Sequence, residues 1–151
     1  MSQPGLPSCL MGCTGYSSMK EFMMNITLWI IAGLLAAVFL IAGAGKLLIP
    51  QEKLAKAPGA GWALDFSAGF VKALGAVEIL GAVGLILPGL LDIAPVLVPL
   101  AALGLALIMT GAAIVTFRRQ EFKHVLLNLT YLALALFVAW GRFFGPESFI
   151  G

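Results

Sequence analysis

The chain reads as an all-α, polytopic integral membrane four-helix bundle, and three observations predict it. It is 61% hydrophobic and only 11% charged, whereas a soluble domain carries about 25% charged residues. Its apolar residues fall into four runs of about the 20 residues that a membrane helix needs. Prolines, glycines or charges stand at the ends of those runs. A chain of 151 residues with this composition cannot hide its apolar surface in one small core. An ordinary soluble domain, a disordered chain and a nucleic-acid binder are therefore excluded, and the predicted partner is the lipid bilayer.

Residues 1–24 read as a flexible N-terminal tail. Pro4, Gly5, Pro7, Ser8, Gly12, Gly15, Ser17 and Ser18 disfavour regular structure there. The tail has no early positive charge and no apolar h-region, so it does not match a signal peptide. Cys9 and Cys13 are candidates for a disulfide, with each other or with another protein. Their spacing is not the C-x-x-C of a redox motif.

The four-span domain covers residues 25–143. Its first span runs from about 26 to 49 and is stopped by Pro50, which cannot continue a helix. The second runs from about 66 to 87, ahead of Pro88 and Gly89. The third runs from about 93 to 117 and ends at Arg118 and Arg119; Pro95 is tolerable in a first turn. The fourth runs from about 122 to 140 and ends at Gly141 and Arg142, followed by a short tail, 144–151. Buried strands are the rival reading, but they are shorter than these runs, and a transmembrane barrel would alternate with period two.

The loops divide the charge unequally. Lys46, Lys53 and Lys56 flank the first loop and Arg118, Arg119 and Lys123 the third, while Lys20 and Arg142 lie toward the other side. By the positive-inside rule, loops 50–65 and 118–124 are cytoplasmic and both termini extracytoplasmic.

Nine of the 18 glycines lie inside the spans. Small residues let membrane helices approach closely where lipid gives little drive for association. In the second span Gly75, Gly81, Ala82 and Gly89 fall within about 60° of Glu78 on a helical wheel, which makes that face the bundle interior.

Glu78 is the most informative residue. It stands about 18 Å along its helix from Phe66, near mid-bilayer. A carboxylate at that depth is costly and must pair, protonate or line a cavity. Lys72 precedes it on the same helix, and Lys46, Thr110, Asn128 and Tyr131 fall in the same half of the bilayer. The other half looks nearly featureless. Lys46, Lys72, Glu78, Thr110, Asn128 and Tyr131 are thus the expected intramembrane polar pocket, with a structural Lys46–Glu78 pair as the alternative to a ligand role.

No catalytic residue can be assigned. His124 is the only histidine, so a bis-histidine haem site cannot form within one chain. No set of three or four metal ligands converges, and no phosphate-binding glycine loop is present.

The stretches Leu28-Trp29-Ile30, Phe39-Leu40-Ile41-Ala42-Gly43, Gly45-Lys46-Leu47 and Gly75-Ala76-Val77-Glu78-Ile79-Leu80-Gly81, with Gly84 to Pro88, Gly111-Ala112 and Asn128, resemble the DoxX-like membrane proteins over about residues 25–143. Lys46 and Glu78 match recurring positions of that family. The resemblance implies a four-helix protein of the bacterial inner membrane and, for part of the family, association with quinone-linked oxidoreductase complexes. It carries over no catalytic residue and no intrinsic cofactor. Three readings follow: a non-catalytic membrane subunit or adaptor beside a larger redox complex, or a homo-oligomer; a quinone-binding component with its pocket around Glu78; and a small proton-coupled carrier.

Overall fold

The computed structural model describes residues 9–145, with side chains from residue 15 onward. The chain forms α1 (Cys9–Leu48), a one-turn α2 (Gln51–Leu54), a 3-10 turn (Gly61–Asp65), α3 (Ala68–Leu91), α4 (Leu97–Arg118) and α5 (Phe122–Phe144), with no strands among the described residues. Four of these helices are long and apolar enough to cross a membrane. The all-α polytopic bundle expected from the sequence is what forms.

Three boundaries differ from expectation, the simplest being that of α5, which runs one turn past Trp140 to Phe144. α1 does not start near Ile26 but reaches back to Cys9, so residues 9–24 are helical rather than a flexible tail. Its 40 residues extend about 60 Å, twice the hydrocarbon thickness. The helix resists the glycines because each costs only about 1 kcal/mol. α3 also runs through Pro88 to Leu91. Pro88 forfeits one backbone hydrogen bond, but one turn later the Asp92 N–H returns to its carbonyl and closes the helix in a left-handed cap. The candidate disulfide cysteines, Cys9 and Cys13, and residues 146–151 of the C-terminal tail lie outside what the structure describes at side-chain level.

The remaining ends follow their sequences. Ser67 caps α3 by accepting from the Phe70 N–H at 3.3 Å, which satisfies one of the orphan donors of a helix start. Pro99 is the third residue of α4, where its missing N–H has no helical acceptor to lose.

The helices assemble as two antiparallel pairs. α1 packs along α3 and α4 along α5, with fewer contacts between the pairs. The core lies where the pairs meet: Leu35 and Phe39 of α1, Leu85 of α3, Leu105 and Met109 of α4, Ala135 and Val138 of α5. Around the outside stands a belt of exposed large apolar residues, among them Leu34, Ile41, Leu80, Leu107 and Leu126. A water-soluble monomer does not expose such a continuous surface; lipid is its natural solvent.

Candidate functional site: a capped cavity at one end of the bundle

The site starts from two glycines. At the α1–α3 crossing, a β-carbon on Gly43 would stand 2.6 Å from the Gly75 carbonyl oxygen, and one on Gly75 would stand 2.8 Å from the Gly43 carbonyl oxygen and the Lys46 β-carbon. Only glycine permits this approach. It sets the Lys46 backbone beside Gly75, one turn along α3 from Glu78, so the lysine stem spans that turn to reach the carboxylate. The Lys46 Nζ donates to both carboxylate oxygens, at 2.8 and 2.6 Å. Glu78 is 2% exposed. The pair answers the cost of burying either charge, because a charge left alone in such a place is strongly destabilising.

Beyond this pair the two helix pairs separate and leave a cavity of about 450 Å³. Its walls are mainly apolar and aromatic, including Phe39, Phe66, Phe70, Leu74, Ile108, Met109, Val115 and Leu127. Its polar lining is confined to Lys46, Glu78, Thr116, His124, Asn128 and Tyr131. The last three follow a +4, +3 spacing on α5, which sets them on one face. Thr116 donates to the Ala112 carbonyl at 2.9 Å and accepts from the Asn128 amide at 3.3 Å. The Tyr131 ring lies 6.1 Å from that of Phe39 and closes the cavity toward the opposite end of the bundle.

The loop between α1 and α3 folds over the other side as a cap. The Gln51 side-chain amide donates to the carbonyls of Ala63 and Phe66, the latter at 2.7 Å. This fixes the 3-10 turn and places Trp62 in the cavity lining, with Lys46 Nζ 5.7 Å from its ring centre. Phe66 continues the aromatic wall by stacking on Phe70 at 4.9 Å. Gly59, with φ +75°, lies against His124 so closely that any β-carbon would overlap the imidazole. Arg119 ties the cap to the α4–α5 turn, binding Asp65 at 2.6 Å and Glu121 at 3.1 Å. Those hydrogen bonds, Glu121's first and then Asp65's, hold the Arg119 guanidinium above its ordinary pKa, so it stays cationic.

Four of the six expected pocket residues come together here: Lys46, Glu78, Asn128 and Tyr131. Two do not. Lys72 is exposed, because it sits about 120° around α3 from Glu78, where its long stem can lead the ammonium to the interface. Thr110 is also exposed; its hydroxyl donates to the Ala106 carbonyl at 2.9 Å and needs no partner in the interior. The pocket is also less polar than expected. Sequence reasoning missed His124, Trp62, Phe66 and Phe70 as lining residues. The +4 step from His124 to Asn128 was a usable signal for the first. The others depend on how the loop folds back.

The other end of the bundle is not featureless either. Arg142, expected at an interface, is 2% exposed. It donates to the Asn25 side-chain oxygen at 3.1 Å, and its guanidinium lies 5.2 Å from the Trp29 ring centre.

Compared with known proteins, residues 30–138 match the sequence model of the DoxX-like family. The matched segment holds every cavity residue named above and excludes Asn25, Trp29 and Arg142. No curated protein and no solved structure matches the chain.

Proposed function

The chain belongs to the DoxX-like family, and from that premise we propose that it is a small membrane subunit of a quinone-linked redox assembly, whose own task is to hold the quinone. The observation that carries this reading is the capped cavity of about 450 Å³ with aromatic walls and a few polar groups contributed by α1, α3, α4 and α5. Its volume falls in the range of about 300–1,000 Å³ typical of small-molecule sites, which are mostly apolar with a few placed polar groups. A quinone head group is a flat ring with two carbonyl acceptors. Phe66, Phe70 and Trp62 offer ring faces, and the Asn128 amide, the Tyr131 hydroxyl and the His124 imidazole offer donors of the required kind.

When bound, the quinone would supply electron-acceptor chemistry. The residues of this chain would position the ring and keep water from it. The electron donor would then be another protein of the assembly. The basic loop side, with Lys53, Lys56, Arg118, Arg119 and Lys123, would face the cytoplasm under the positive-inside rule, in a bacterial inner membrane.

A titration of the purified protein with a short-chain quinone, followed by tryptophan emission, tests the reading. Of the three tryptophans only Trp62 lines the cavity. Saturable quenching is expected, most of it lost in Trp62→Phe, with affinity altered in Glu78→Gln. Quenching that rises linearly, or that survives in Trp62→Phe, overturns it.

A further inference from the structure

We infer that the cavity is entered sideways from the lipid, between α3 and α4, and that its ligand therefore carries a linear apolar tail that occupies this gap while the head group lies inside. The inference rests on the ligand-holding role proposed above and adds the route and the ligand class.

The two helices close against each other near their connecting turn. A β-carbon on Gly84 would stand 3.0 Å from the Ala101 β-carbon, and one on Gly81 would stand 2.7 Å from the Leu105 side chain. In the same antiparallel register the following levels place Glu78 opposite Ile108, Leu74 opposite Ala112 and Phe70 opposite Thr116, and all six of these residues line the cavity. The gap therefore opens at the level where the cavity begins.

Its outer edge is exposed on both sides. Phe70 on α3 lines the cavity and is 49% exposed. Gly111 on α4 lines the cavity and is exposed, and a β-carbon there would meet nothing within 4 Å. On the α4 wheel Gly111 falls about 60° beyond Ile108, on the side away from α5. The lining thus wraps around α4 toward α3 and out to the membrane.

The water-facing end is obstructed by contrast. Gly59 lies against His124 and Gly61 beside Arg119, and the cap is fixed by Gln51 and by the Asp65–Arg119 pair. A site covered toward water and open toward hydrocarbon selects molecules that partition into the bilayer. Its size is spent on the head group, so a long chain must leave through the gap.

The test compares a tail-less quinone with one bearing an isoprenoid tail, on the full chain in nanodiscs. Gly111→Leu places a side chain in the gap, and Gly104→Leu places one at an exposed glycine outside the cavity lining as the control. Gly111→Leu is expected to weaken the tailed ligand at least about tenfold more than the tail-less one, the loss of roughly two methylene contacts. Gly104→Leu should change neither. Equal losses for both ligands, or no loss for either, overturn the portal while leaving head-group binding intact. If neither ligand binds the unaltered protein, the ligand-holding reading fails and the portal fails with it. A tail carrying a photoactivatable group gives a readout independent of folding in the variant. Cross-links on the α3 and α4 peptides around Phe70 and Gly111 are expected, and cross-links confined to α1 and α5, around Val38 and Leu127, overturn the inference.

Discussion

The two ends of this bundle solve the same packing problem in opposite ways. Near the α3–α4 turn, glycines meet side chains: Gly141 faces Leu28, Gly81 faces Leu105, and Gly84 faces Ala101. Each is a small residue that admits a neighbour, so the end is filled. Near the two charged loops the glycines do something else. Gly43 and Gly75 draw α1 onto α3 and secure the Lys46–Glu78 pair, while α3 and α4 are left apart around a cavity. Both ends also bury a charge. Arg142 is laid against Asn25 and Trp29 within a filled region, whereas Glu78 borders open space. A buried charge does not by itself mark a functional site in a membrane bundle. A buried charge beside a preformed cavity is the stronger sign.

The largest effect that would sharpen this contrast is expected at Lys46. Lys46→Met leaves Glu78 in an apolar setting without its counter-charge, and should cost about 3–5 kcal/mol of stability. Unfolding in mixed micelles would measure it. The double change Lys46→Met with Glu78→Leu should recover most of the loss, since two apolar side chains of similar volume need no pairing. A single variant as stable as the unaltered protein would mean that the ion pair does not hold the open end together.

A smaller effect is expected at the filled end. Arg142→Met removes the hydrogen bond to Asn25 and the contact with Trp29, together worth about 1–3 kcal/mol. Quinone affinity should stay unchanged, because neither group borders the cavity. If Arg142→Met alters affinity as much as Glu78→Gln does, the division of the bundle into a packing end and a binding end is wrong.

What could be read in the sequence follows from which costs are local. Spans, outward faces and Glu78 were legible because hydrocarbon penalises every misplaced polar group at its own position. Asn128 and Tyr131 were legible because their spacing puts them on one helical stripe. Lys72 was not separable from the pocket by sequence alone, because a residue 120° around the helix from Glu78 can line the same cavity or face outward, and on the outer face a lysine reaches the interface. Thr110 was misjudged because a hydroxyl can be satisfied by its own helix, leaving depth without meaning. Trp62 and the cap were not legible. Their placement follows from Gln51 reaching the carbonyls of Ala63 and Phe66, a contact across twelve to fifteen residues that no periodicity encodes. The Asp65–Arg119 pair spans 54 residues and was equally hidden. Arg142 was taken as an end marker because the fourth span continues past Trp140, one turn further than its apolar run.

The smallest effect concerns the cap itself, and it tests whether the open end is closed to water by electrostatics or by packing. The Arg119–Asp65 pair is partly solvent-exposed, and exposed pairs add little to global stability because side-chain ordering and solvent screening offset the attraction. Arg119→Gln is therefore expected to leave the unfolding midpoint where it is. The cap has few other ties, namely the Gln51 amide and the seat of Gly59 on His124. Losing one tie should show as local opening and not as global unfolding. Backbone amides in residues 50–66 should exchange faster with solvent in Arg119→Gln, while those within α3, α4 and α5 keep their protection. Raising the salt concentration on the unaltered protein should move the same amides in the same direction, since the screening length falls from about 8 Å at physiological ionic strength to about 3 Å at 1 M. The Lys46–Glu78 pair, buried between helices, should not respond to salt in this way. If the loop amides stay protected in both experiments, the cap is held by Gln51 and aromatic packing, and the ion pair only decorates it.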